Sequence, residues 1–150
     1  MGDLSPRFIA MDQEANRINL ADYLGKKSVL LYFYPKDFTP DCTKEACGFQ
    51  ALLQDFDAEN VVVIGVSFDS TASHCDFAKQ YNLKFHLISD SEGRIAYAFG
   101  AKMKGTNLDQ RVSFLIDPDG HIVQITDSKD PEKHFHEMQA AIVAMKRQEG

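Results

Sequence analysis

Cys42 follows the polar segment Tyr34-Pro35-Lys36-Asp37-Phe38-Thr39-Pro40-Asp41 and opens a stretch of helical periodicity. A cysteine placed at the start of a helix meets unpaired backbone N–H groups and the positive end of the helix dipole. Both favour a thiolate over a thiol, and the thiolate is the nucleophile. Cys47, five residues further on, offers a partner for a disulfide. The chemistry this arrangement suits is thiol redox chemistry. Cys75 stands alone and reads as a small inert hydrophobe, the commonest fate of an isolated buried cysteine.

The elements around Cys42 must hold it. Val29-Leu30-Leu31-Tyr32-Phe33 is apolar without alternation, which predicts a strand covered on both faces. From Cys42 onward Ala46, Phe49, Leu53 and Phe56 recur at spacings of three and four, the stripe of one amphipathic helix. Phe8-Ile9 and Ile18-Asn19-Leu20 flank a polar stretch and read as an N-terminal β-hairpin. Further strands are expected at 61–66 and 85–88, with Ser70 or Thr71 capping a helix that carries Phe77 and Tyr81 between them. A short helix through Ile95, Ala96 and Phe99 follows. Residues 112–116 and 121–125 form a hairpin about Asp117-Pro118-Asp119-Gly120, and a last helix carries Phe135, Met138, Ile142 and Met145. Strands alternating with helices and closing on a hairpin predict one three-layer α/β domain, residues 1–150, whose central mixed β-sheet resembles the thioredoxin fold. Cys42 would then lie past the carboxyl end of a central strand, where open α/β sheets place their sites.

Composition excludes several alternatives. Hydrophobic residues at 44% and charged residues at 25% match ordinary globular usage, so neither disorder nor a fibrous class is indicated. The net charge of −6 argues against nucleic acid as a partner. No apolar run approaches the ~20 residues of a membrane span. The N-terminus lacks a basic segment followed by an apolar core, so no secretory signal is expected, and Pro6 spoils a myristoylation pattern. Three cysteines, an odd number, fit a reducing compartment. Cytoplasm is expected, with an organelle after transit-peptide removal as the alternative. Neither a phosphate loop nor a dinucleotide fingerprint is present, so no cofactor is expected. No metal is expected either, since structural zinc wants four ligands and His134 and His136 fall on different faces of the last helix.

Pro35, Thr39 and Cys42 stand as Pro-x3-Thr-x2-Cys, and "FYPKDFTPDCTKEAC", "IGVSFDS" and "RVSFLIDPDG" follow in order. The chain resembles the peroxiredoxins, in their Q-type or bacterioferritin comigratory protein branch. The resemblance implies a peroxidase in which the Cys42 thiolate attacks hydrogen peroxide or an alkyl hydroperoxide and becomes a sulfenic acid. Thr39 and the backbone N–H groups of the Cys42 turn would donate to the leaving oxygen, Arg111 would fix thiolate and peroxide, Pro35 would close the pocket against water, and Glu45 would orient Arg111. Cys47 would resolve the sulfenic acid as an intramolecular disulfide, recycled by thioredoxin or glutaredoxin, with Cys75 the alternative resolver. Both thiols in one chain imply a monomer. Asp41 departs from the branch, which usually has Gly there; its carboxylate repels a thiolate, yet at an N-cap it favours the helix.

Two other activities compete. A general disulfide oxidoreductase would use Cys-x2-Cys, and the spacing here is Cys-x4-Cys. A peroxide-sensing switch or holdase would oxidise once without efficient turnover.

Overall fold

A computed structural model describes residues 2–149. Its centre is the strand β3 (Ser28–Phe33), in which every residue is buried. Successive side chains of a strand point to opposite faces, so Leu30, Tyr32 and Tyr34 enter one apolar cluster and Val29, Leu31 and Phe33 the other. A strand with two buried faces needs cover on both sides, and the rest of the chain supplies it.

Around β3 lie β4 (Val61–Ser67), β5 (His86–Ser89), β6 (Val112–Ile116) and β7 (Ile122–Asp127), in the order β5-β4-β3-β6-β7. The β3–β4 and β4–β5 pairs are parallel, whereas β3–β6 and β6–β7 are antiparallel. This is the expected mixed sheet. One face is covered by α1 (Pro40–Ala51), α2 (Leu53–Ala58), α3 (Thr71–Tyr81) and α5 (Pro131–Glu149), through Ala46, Phe49, Phe56, Phe77 and Met138. The other carries α4 (Arg94–Phe99) and Ile18 and Leu20 of the N-terminal segment. Ser70 caps α3 by accepting from the Ser73 N–H at 3.1 Å.

The N-terminal hairpin pairs β1 (Ile9–Met11) with β2 (Arg17–Asn19) as a separate two-stranded sheet. Asp12 closes its turn by accepting from Glu14 and Asn16 N–H groups, both at 2.9 Å. Gln13 then donates to the Phe85 carbonyl and accepts from the Leu87 N–H, so the tip blunts the open edge at β5.

Two details differ from the expected elements. The single helix from Cys42 through Phe56 is broken at Leu52, whose N–H bonds the Phe49 carbonyl in a tight 3₁₀ turn before α2 begins. The break inserts no residue, so Phe49 and Phe56 both still reach the core and the stripe carries no trace of it. A 3₁₀ turn at Leu20–Tyr23, capped by Asn19, also joins β2 to β3.

α1 and α5 approach closely at Gly48, where an added Cβ would overlap the Phe135 ring. Gly48→Ala is therefore expected to destabilise the fold by about 1–3 kcal/mol in urea unfolding, overpacking outweighing the gain in helix propensity. A stabilised variant would mean that the Phe135 ring yields freely. No helix among the described residues is long and apolar enough to cross a membrane.

Candidate active site

The chain leaves β3 at Tyr34 and must turn before α1 can start. Thr39 is the N-cap, with φ −75° and ψ 150°, and Pro40 occupies the first helical turn, where its missing N–H costs nothing. Asp41 thus stands inside the first turn rather than at the N-cap position considered from the sequence. Cys42 follows it, within one turn of the helix start. No side chain caps this end of α1, so first-turn N–H groups remain available beside the thiol.

The loop that aims the helix is tied down from α3. Asp37, buried in the loop, accepts from Tyr34 Oη at 2.6 Å and Ser73 Oγ at 2.9 Å, and its Oδ2 lies 2.7 Å from His74 Nδ1. The Asp37 N–H donates to Asp69 Oδ2 at 2.8 Å, which also accepts from Ser67 Oγ at 2.6 Å. Phe38 next to it has φ 67°, a left-handed conformation rare for a bulky residue. Its ring packs edge-on against Phe77 at 5.1 Å. The surroundings hold a backbone conformation that would not persist alone. Asp37, Asp69 and His74 are the one group of metal-type ligands found close together among the described residues. Their oxygens already accept the hydrogen bonds above, so the cluster serves as a brace for the loop.

Arg111 lies one residue before β6, whose Val112 pairs with Phe33. This register carries the guanidinium to the end of β3. Nη2 donates to Cys42 Sγ at 3.3 Å, and Nη1 donates to Glu45 Oε1 at 2.8 Å. Glu45 is three residues past Cys42, so both project from one face of α1, and both are buried. Burial works against the Arg111 charge, but Glu45 and Cys42 outweigh it and hold Arg111 above its ordinary value. Burial also pushes Glu45 up to about 8, against the opposing pull of Arg111.

Pro35, Asp41 and Arg111 line a cleft of about 530 Å³ together with Met103, Gln110, Asp127, Ser128 and Lys129. Cys42, 1% exposed, sits behind Arg111. The Thr39 hydroxyl differs from its expected part. It donates to the Lys36 carbonyl at 2.8 Å, which closes the 36–39 turn and leaves lone pairs for other contacts. In this arrangement it can accept a peroxide proton, and must rotate to donate.

Cys47 lies on α1, exposed, and partial burial raises its thiol above the ordinary range. Cys75, half-buried on α3, borders a different depression with Gln13, Glu14 and Lys79. The structure thus brings Cys42, Glu45 and Arg111 into contact, sets Pro35 and Asp41 in the wall beside them, and leaves Cys47 outside. Asp37 and His74, which brace the loop, carry no sequence signal of that role, although Asp37 lies in the segment that precedes Cys42.

Comparisons with known proteins bear on the family. The AhpC/TSA family profile matches residues 1–125. Peroxiredoxin Bcp of Escherichia coli is 37% identical over 139 residues, covering 89% of this chain and 88% of that protein. The chloroplastic peroxiredoxin Q of Gentiana triflora is 38% identical, over 91% of this chain and 63% of its own length. Among solved structures, peroxidoxin BcpB of Mycobacterium tuberculosis superposes with a TM-score of 0.89 at 31% identity, covering 95% of this chain and 96% of that one. Peroxiredoxin Q of Xanthomonas campestris gives 0.84 at 32% identity, over 91% and 90% of the two chains. With a buried cysteine held by an arginine at a helix start, on the sheet these relatives share, the chain belongs to the AhpC/TSA family as a thiol-dependent peroxidase of the Bcp/Q peroxiredoxin type.

Proposed function

We propose that the chain reduces hydrogen peroxide and organic hydroperoxides with Cys42 as the attacking thiolate and Cys47 as the resolving thiol, recycled by thioredoxin or glutaredoxin. The observation that carries the reading is the 3.3 Å contact of Arg111 Nη2 with Cys42 Sγ. A guanidinium at that distance offers the sulfur a counter-charge and offers a bound peroxide a fixed donor. The Cys42 thiolate attacks one peroxide oxygen, the O–O bond breaks, and the other oxygen takes a proton and leaves as water or alcohol. Cys42 becomes a sulfenic acid. First-turn N–H groups and Arg111 are in place for the charge that develops on the leaving oxygen. Pro35 and Met103 in the cleft wall suit the apolar body of an organic hydroperoxide. Cys47 then attacks the sulfenic sulfur, water leaves, and an external dithiol reduces the disulfide. A single domain acting as a monomer in the cytoplasm suffices, since both thiols belong to one chain.

The deciding experiment follows NADPH oxidation with hydrogen peroxide and alkyl hydroperoxides, coupled in turn to thioredoxin, glutaredoxin and glutathione. Steady consumption of peroxide is expected, with thioredoxin preferred. A protein that oxidises once and stops is a peroxide sensor instead.

The two thiols cannot bond while α1 is intact. Residues five apart on a helix have Cα atoms about 8.7 Å apart, and a disulfide needs less than about 7 Å. Cys42 is buried in α1 and Cys47 faces solvent from the same helix, so resolution requires unwinding of its first turns. Helix ends permit such openings. Hydrogen exchange on verified dithiol and disulfide samples is expected to show protection of amides 43–50 only in the dithiol form. Equal protection in both would rule the unwinding out.

A further inference from the structure

Glu45 keeps one oxygen in reserve. Its Oε1 accepts from Arg111, but Oε2 has no hydrogen-bond partner and faces His134 Nδ1 at 3.5 Å. His134, on α5, is as fully buried as Glu45. Its Nε2 lies 2.7 Å from the Ser128 carbonyl, and a carbonyl only accepts, so Nε2 carries a hydrogen. In a neutral ring Nδ1 then presents a lone pair, to which the Ser113 hydroxyl donates at 2.8 Å. Without a further proton, two acceptors confront each other out of reach of water. A proton on Oε2 turns that repulsion into a bond.

We propose that His134 is a positioning residue of the peroxide-reducing centre: its Nδ1 lone pair, shared with the Ser113 hydroxyl in a three-centre arrangement, accepts a hydrogen bond from a neutral Glu45 and so leaves the Arg111 charge directed at Cys42. This rests on the roles assigned above to Cys42 and Arg111. Burial favours the neutral form of both partners. It raises Glu45 to about 8, and it lowers His134 despite the Ser128 bond that opposes the shift. The other titratable groups that bear on the pair are Tyr32 of β3, Asp41 and Cys42 of α1, Arg111 before β6, Asp127 at the end of β7 and Glu137 of α5. Below the Glu45 titration the guanidinium has the thiolate as its counter-charge. Above it, the new carboxylate competes for the same cation, and the rate of peroxide attack falls.

Two measurements test this. In ¹⁵N-histidine spectra of the reduced protein, His134, assigned by its loss in His134→Asn, is expected as the neutral Nε2–H tautomer at neutral pH. An imidazolium would put the proton on the ring and overturn the proposal. Stopped-flow rates of peroxide attack should decline on the alkaline side in the parent protein, and Glu45→Gln should lack that decline. His134→Phe should be slower by about tenfold, the scale of one buried hydrogen bond left unmade, and should begin its decline at lower pH. His134→Asn, which keeps an acceptor near the Nδ1 position, should recover most of the rate. An identical alkaline decline in Glu45→Gln, or an unchanged profile in His134→Phe, refutes the idea. If His134→Phe fails to fold, the spectra and the other two variants still decide. Failure of the peroxidase reading looks different, because the parent protein would then consume no peroxide at all.

Discussion

Replacing Cys42 by serine is expected to abolish peroxide reduction altogether, whereas replacing Cys47 should stop turnover after a single reaction. The difference follows from what each sulfur does. A serine hydroxyl at position 42 stays protonated where a thiolate would be available, and an alcohol is a poor nucleophile toward an O–O bond. The Arg111 contact at 3.3 Å cannot compensate, since it assists a charge that no longer forms. In Cys47→Ser the attacking centre is untouched, as Cys47 stands outside the Cys42–Arg111–Glu45 contact and faces solvent. That variant should react once and accumulate a Cys42 sulfenic acid that dimedone traps and excess peroxide drives to sulfinic acid. Mass spectrometry after one equivalent of peroxide reads the outcome directly. Full thioredoxin-linked turnover by Cys47→Ser would move the resolving role to Cys75.

The parts of the molecule legible in the sequence are those written in local pattern. β3 is legible because five apolar residues in a row, 29–33, need cover on both faces, and that implies helices on either side. Cys42 is legible from its place at a helix start, whereas Pro35, Thr39 and Arg111 stand out only through the family resemblance. What the pattern could not carry is pairing across the fold. Asp37 and His74 meet only because α3 packs beside the loop after β3, and neither residue signals its partner. His134 reads as a polar residue on an amphipathic helix, and only the packing of α5 on α1 brings it to Glu45. The break at Leu52 was hidden for another reason: a 3₁₀ turn without an insertion leaves the three-and-four spacing intact. The resting partner of the Thr39 hydroxyl is equally illegible, because a hydroxyl can serve as donor or acceptor and the Lys36 carbonyl that accepts from it is a backbone group.

Arg111→Lys is expected to slow the attack on peroxide by tenfold or more, the loss of one transition-state donor costing about 10²–10³, while the fold survives. Arg111 holds Glu45 through Nη1 and Cys42 through Nη2 at once. An ammonium keeps the charge but not the planar fork, so it cannot serve both partners in fixed geometry. The usual penalty for breaking a buried ion pair, about 3–5 kcal/mol, comes from stranding the remaining charge. Here burial already places Glu45 at about 8, so near neutral pH the carboxyl can remain a neutral acid and strand nothing. The sign of the pH dependence follows. Arg111 lowers the Glu45 value, so a weakened pairing raises it further, and the variant's fold should lose stability relative to the parent only as pH climbs through the Glu45 titration. Thermal unfolding at neutral and alkaline pH, alongside single-turnover rates, separates the two effects. A large loss of stability at neutral pH would mean that the Glu45 carboxylate is ionised in the folded protein, and an unchanged rate would remove Arg111 from the reacting centre.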